Sequence, residues 1–198
     1  MEIFKLTDAQ KALIEKVDQL AEERIAPRAA QYDQDAAVPV EDLKDLHQAG
    51  LLLACADRKW GGLGYGVHQE DPLCFFLTIE RLARANPGTA HNFQVHNNCV
   101  QIICHSGRDE MIPKFLEPTK ERAKMIPGAG SEPAMTSYSA QGGLASTARK
   151  VDGGYLVNGI KHYATNASWS EWMWVGLLLE GTRSDVTLMI PSDAEGVT

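Results

Sequence analysis

Met125-Ile126-Pro127-Gly128-Ala129-Gly130-Ser131-Glu132-Pro133 divides the sequence into two kinds of pattern. Upstream of it, apolar residues recur every three or four positions, the period of a helix with one buried face. Downstream, after Ala145, short apolar runs alternate with Gly- and Asn-containing turns, the pattern of strands. Helices followed by strands, rather than the two alternating, imply an α+β chain. The expected division is a helical domain over 1–122 and an antiparallel, barrel-like β domain over 123–198.

Working back from the divide, Thr7 with Gln10 three residues on forms a capping-box signature. Leu13, Ile14, Val17, Leu20, Ala21 and Ile25 then mark one helical face, which Pro27 should kink or end. A second helix is predicted after Pro39, with Leu43 and Leu46 turned inward and Gly50 as its stop. Trp60 to Gly66 reads as a turn, since it follows no strand and lacks the spacing of a phosphate-binding loop. A third helix should run from Asp71 to Ala85, broken by Asn86-Pro87-Gly88, and a fourth from Thr89 to Ser106. A shorter helix from Asp109 would carry Met111, Ile112, Phe115 and Leu116, limited by Pro113 and Pro118.

Working forward, Asn158-Gly159 between Tyr155-Leu156-Val157 and Ile160-Lys161-His162-Tyr163 predicts a two-residue hairpin. With a further turn at Asp152-Gly153-Gly154, three strands would form a meander. Trp172 to Leu179 and Val186 to Ile190 are two more strands. Nothing after Pro191 would close such a sheet, so residue 198 is expected to fall within a domain rather than at its end.

The 198 residues are 44% hydrophobic and carry a net charge of −7 with a pI near 5.3. No basic stripe suggests nucleic-acid binding. The longest apolar stretches are too short for a membrane-spanning helix, so no membrane insertion is expected. Glu2 and Asp8 in the first ten residues argue against a secretory leader. Cys55, Cys74, Cys99 and Cys104 show no paired spacing, which suits reduced thiols in a cytoplasmic protein. His91, His96, Cys99, Cys104 and His105 do not complete a tetrahedral ligand set at usual spacings, so no metal is expected.

The order of motifs resembles the acyl-CoA dehydrogenase family along nearly the whole chain. LTDAQKALIEKVDQLAEERIAPRAAQYD is similar to that family's first helix and LHQAGLL to its second. RKWGGLGYG resembles the loop after them, IERLARANPGTA the third helix and turn, and HSGRDEMIPKFLEP the end of the fourth. Ser131-Glu132-Pro133 and Lys161-His162-Tyr163-Ala164-Thr165-Asn166 resemble the family's two flavin motifs. The resemblance implies FAD as cofactor, contacted by Gly130, Ser131, Thr136, Tyr163, Ala164 and Thr165. It implies a substrate contact at Ser137. Tyr163, where the family usually has Trp, would lie against the flavin ring. Ser131, Ser137 and Thr165 have a plainer alternative reading, as hydroxyls that satisfy backbone groups at turns and strand ends.

The implied activity is α,β-dehydrogenation of an acyl-CoA thioester. The family's base, a Glu in its C-terminal helical domain, would lie beyond residue 198, and no acidic residue of this chain matches it. The 198 residues alone are therefore expected to be inactive. The resemblance further implies an electron-transfer flavoprotein or oxygen as electron acceptor, and a homo-oligomeric full-length form. Ala134-Met135-Thr136 replaces the family's Gly-Ala-Gly, at the flavin or acyl pocket. That change keeps open a reduced-flavin monooxygenase of the same fold, and a short non-catalytic partner subunit remains a third alternative.

Overall fold

The computed structural model describes residues 5–133 and 144–198. The chain forms two compact units, Met1–Lys124 and Met125–Thr198.

In the first unit, helix α1 spans Asp8–Leu20. Its start is the capping box the sequence shows: the Thr7 hydroxyl accepts from the Gln10 N–H at 3.2 Å, and the Gln10 side chain accepts from the Thr7 N–H at 2.9 Å. Leu13, Val17, Ala21 and Ile25 are buried at the predicted spacing. Pro27 neither ends nor breaks the helix. A π-turn over Ala21–Ile25, in which the Ala26 N–H reaches back to the Ala21 carbonyl, leads into α2 at Ala26–Asp35. The wider turn places Pro27 at the start of α2, where its missing N–H is not needed.

Helix α3 covers Val40–Gln48, α4 Pro72–Ala85, α5 Pro87–Ser106 and α6 Ile112–Arg122. Asn86 caps α5 by accepting from the Gly88 and Thr89 N–H groups. Between α3 and α4 the chain doubles back on itself, the Leu63, Gly64 and Tyr65 N–H groups donating to the Leu53, Ala56 and Ala54 carbonyls. A Cβ on Gly62 would sit 2.0 Å from the Ala56 oxygen, so this turn is closed to any other residue. His96 is fully buried on α5, with its Nε2 2.9 Å from the Leu52 carbonyl. No helix among the described residues is long and apolar enough to cross a membrane.

The second unit is a five-stranded sheet: β1 Gly128–Ala129, β2 Thr147–Val151, β3 Gly154–Asn158, β4 Trp172–Leu179 and β5 Asp185–Pro191. Strand β4 is central. It pairs antiparallel with β5 along most of its length, and parallel with β1 at Trp174–Val175 and with β2 at Leu178–Leu179. The antiparallel pairing expected throughout thus holds for β2–β3 and β4–β5 only. Ala129, Ala148, Val175 and Leu177 form the core, against which Ala164, Met173 and Leu188 pack.

The expected meander is corrected at one point. The β2–β3 hairpin turns at Asp152-Gly153, where Gly153 has φ 81°. Asn158-Gly159 makes no hairpin. Asn158 is the last residue of β3, opposite Thr147, and Ile160 to Tyr163 form no strand. Gly159 serves another purpose, because a Cβ there would lie 2.1 Å from the Ser146 Oγ and 2.7 Å from its Cα. A close backbone crossing, not a tight turn, requires glycine at this position.

Candidate cofactor site

The two motif segments, some thirty residues apart in sequence, meet in the second unit. The Ser131 carbonyl accepts from the His162 N–H at 2.8 Å. Beside that bond, Lys161 Nζ lies 2.5 Å from Glu132 Oε1. The same Oε1 also accepts from the Ser146 N–H at 2.9 Å, and Glu132 Oε2 accepts from the Ala145 N–H at 2.5 Å. One carboxylate therefore joins three chain segments. Both side chains of the pair are largely out of solvent, Glu132 at 1% and Lys161 at 12%.

Burial by itself would raise the Glu132 pKa. The Lys161 ammonium and the Ser146 and Ala145 donors outweigh it and hold the carboxyl at about 2. A carboxylate so firmly ionised is a poor proton acceptor near neutral pH. Glu132 is thus an anchor and not a general base.

From this clasp the chain runs directly into Tyr163, which has φ 54° and is 89% exposed. A left-handed conformation is uncommon for a bulky aromatic residue, and so is a phenol ring held almost wholly in the open. The conformation is enforced from both sides. Lys161 and His162 are pinned upstream. Downstream the Thr165 N–H donates to the Tyr163 carbonyl, the Ala167 N–H to the Ala164 carbonyl and the Trp169 N–H to the Asn166 carbonyl. Asn166 is itself left-handed, at φ 79°, a conformation Asn tolerates well. The short helical turn Ala167–Trp169 follows. The predicted strand setting of Tyr163 is therefore corrected: the ring stands on a turn, held outward by strain that the surrounding bonds sustain.

The other predicted residues fall as follows. Gly130 is half-buried, with open space around its Cα and its carbonyl 3.5 Å from Lys161 Nζ. Ser131 is exposed beside it, and Ala164 and Thr165 are half-buried next to Tyr163. The bonds of Lys161 and His162 thus bring Gly130 and Ser131 next to the segment that continues into Tyr163, Ala164 and Thr165. Thr136 and Ser137 lie outside the described residues. The Glu132–Lys161 pair was missed as a site feature. No local pattern connects the two residues, which lie 29 positions apart.

Elsewhere, a cavity of about 470 Å³ in the helical unit is lined by Asp57, His68, Gln101 and His105 among others, with the His68 and His105 rings stacked at 5.0 Å. Among the described residues no group of three or more His, Cys, Asp or Glu could hold a metal ion. All four cysteines are buried and free.

Residues 7–121 match the family profile described as acyl-CoA dehydrogenase, N-terminal domain. The chain is 25% identical over 182 residues to the short-chain-specific acyl-CoA dehydrogenase of Clostridium acetobutylicum, covering 91% of this chain and 46% of that protein. It is 30% identical over 173 residues to the mitochondrial isovaleryl-CoA dehydrogenase of Arabidopsis thaliana, covering 83% and 39%. The butyryl-CoA dehydrogenase structure from Megasphaera elsdenii superposes with a TM-score of 0.84 at 25% identity, over 98% of this chain and 51% of that one. The chain spans about half the length of the relatives it matches or less.

Proposed function

The chain belongs to the acyl-CoA dehydrogenase family, and from that premise we propose that it supplies the FAD-facing part of an oxidoreductase that desaturates an acyl-CoA thioester between its α and β carbons. The observation that carries the reading is the meeting of Ser131-Glu132-Pro133 with Lys161 and His162, directly before the exposed Tyr163 ring. These residues suit an isoalloxazine. The exposed aromatic ring offers a stacking face, and the space around Gly130 is open. The Ser131 and Thr165 hydroxyls can donate to a ring edge that gains electron density on reduction without placing a full charge there.

In this reading Tyr163 orients the ring system and excludes water from one face, and Thr165 and Ser131 set its angle. Thr136 and Ser137 complete the contacts to cofactor and acyl group. When bound, FAD would supply the hydride acceptor that the protein side chains cannot provide. Residues 1–122 act as the family's N-terminal helical domain and 123–198 as part of its middle β domain. Glu132, the carboxylate among the described residues of the site, is committed to Lys161 and does not serve as the proton acceptor for the α carbon. Reducing equivalents leave to an electron-transfer flavoprotein or to oxygen.

The test uses the full-length native protein, loaded with FAD and mixed anaerobically with acyl-CoA esters of graded chain length. Bleaching of the flavin by one class of ester, with formation of the enoyl-CoA, is the expected result. A flavin that no ester reduces, but whose chemically reduced form consumes oxygen to hydroxylate an aromatic compound, would replace this reading with the monooxygenase.

A further inference from the structure

The Glu132–Lys161 pair is more deeply placed than a strut between two segments needs. It joins residues 130–132, 145–146 and 161–162 at one point, and Tyr163, with its left-handed backbone, follows two residues after Lys161. We infer that Glu132 and Lys161 are positioning residues for the cofactor. The pair sets the separation of the two cofactor-facing segments and keeps the local charge balanced there. The inference rests on the FAD reading above and adds residues that reading does not assign.

Two features of the geometry carry it. The first is connectivity. Glu132 accepts from two consecutive N–H groups at the start of β2, while Lys161 reaches both Glu132 and the Gly130 carbonyl. Removing the ammonium leaves the carboxylate with its two backbone donors, whereas removing the carboxylate leaves a poorly solvated ammonium beside a single long carbonyl contact. The second is charge. As a pair the two groups are neutral, but each alone is a full charge in a place nearly closed to water, where screening is weak. Neutralising one partner therefore exposes the site to the other's field, and the sign depends on which partner is lost.

That sign separates positioning from plain scaffolding. In the full-length native protein, Glu132→Gln leaves Lys161 uncompensated, which favours the more anionic reduced flavin and raises the midpoint potential. Lys161→Gln leaves Glu132 uncompensated and lowers it. Both variants should also bind FAD more weakly, by about tenfold or more, since a partly satisfied buried network holds its geometry poorly. In the apoprotein, exchange of the Ala145 and Ser146 amide protons should speed up in Glu132→Gln and stay near wild type in Lys161→Gln. Should Glu132→Gln fail to fold, Lys161→Gln, which keeps the carboxylate and its backbone bonds, carries the potential measurement alone. Wild-type FAD affinity in both folded variants, or potential shifts of the same sign, would overturn the inference. A wild-type protein with no affinity for FAD would remove the underlying FAD reading, and this inference with it.

Discussion

Each unit of the molecule buries a carboxylate against a cation, and the surroundings give the two pairs different meanings. In the helical unit, Asp42 on α3 is fully buried. It accepts from the Thr89 hydroxyl at 2.6 Å and from Asn86 at 3.4 Å, and pairs with Arg28 of α2 at 2.8 Å. Arg28 also bonds Asp45, which Arg24 shares. Burial raises the Asp42 pKa, against the lowering by its Thr89 and Arg28 partners. Asp45 is pulled the other way, since its bonds to Arg28 and Arg24 outweigh the opposing effect of burial. The effect of this network is to lock α2, α3 and the start of α5. In the sheet unit, the Glu132–Lys161 pair is followed at once by a left-handed, exposed Tyr163. The first pair ties helices to one another. The second leads directly into an exposed ring on left-handed backbone, the geometry on which the proposed cofactor role rests.

The sharpest way to break the comparison is to remove each carboxylate in turn. Asp42→Ala should destabilise the protein by about 4 kcal/mol in urea melts, because it removes the shared partner of Thr89, Asn86 and Arg28 and leaves Arg28 to Asp45 alone, while FAD affinity of the folded fraction stays unchanged. Glu132→Gln should cost about 3 kcal/mol at neutral pH, the stability that a carboxyl held at about 2 gains over its ordinary value of 4.5. This group is depressed in the folded state. Its contribution is complete above pH 4.5 and disappears as pH falls from there through about 2, so wild type and variant should converge in acid. An equal gap at pH 3 and pH 7 would show that the ion pair is not its source.

His96 gives the helical unit its own pH signature. Burial lowers its pKa to about 4, against the raising influence of its bond to the Leu52 carbonyl. The unfolded chain takes up a proton near the ordinary value of 6.5 that the folded protein refuses. Stability contributed by neutral His96 is therefore present above pH 6.5 and falls away as pH drops toward 4. Between pH 7 and pH 5 the loss should be about 2 kcal/mol, and His96→Gln should flatten that slope. A variant as pH-sensitive as wild type would place the dependence elsewhere.

The helical unit was nearly transparent in the sequence because its signals are local. Thr7 and Gln10 meet across one turn, Leu13 to Ile25 share a stripe, and Gly50 ends its helix with φ 73°. Pro27 was the exception, since a π-turn that accommodates a proline leaves no trace in hydrophobic period. The sheet unit was legible in its two long strands, β4 and β5, but not in their partners. Placing β1 and β2 parallel along one β4 edge depends on contacts some thirty to fifty residues apart, which alternation cannot encode. Asn158-Gly159 misled for a physical reason: glycine was required by the approach of Ser146, and a turn signal looks the same. The site was found through motif resemblance, while the bond that assembles it, Glu132 to Lys161, joins residues no local pattern connects.

The most direct measurement is calorimetric titration of FAD into the full-length native protein and its Tyr163→Ala variant. The account predicts saturable binding to wild type and clearly weaker binding to the variant, whose melting temperature should stay close to wild type because the ring is exposed. Equal affinity in the two proteins would contradict it, since the strained, outward Tyr163 would then have no part in holding the cofactor.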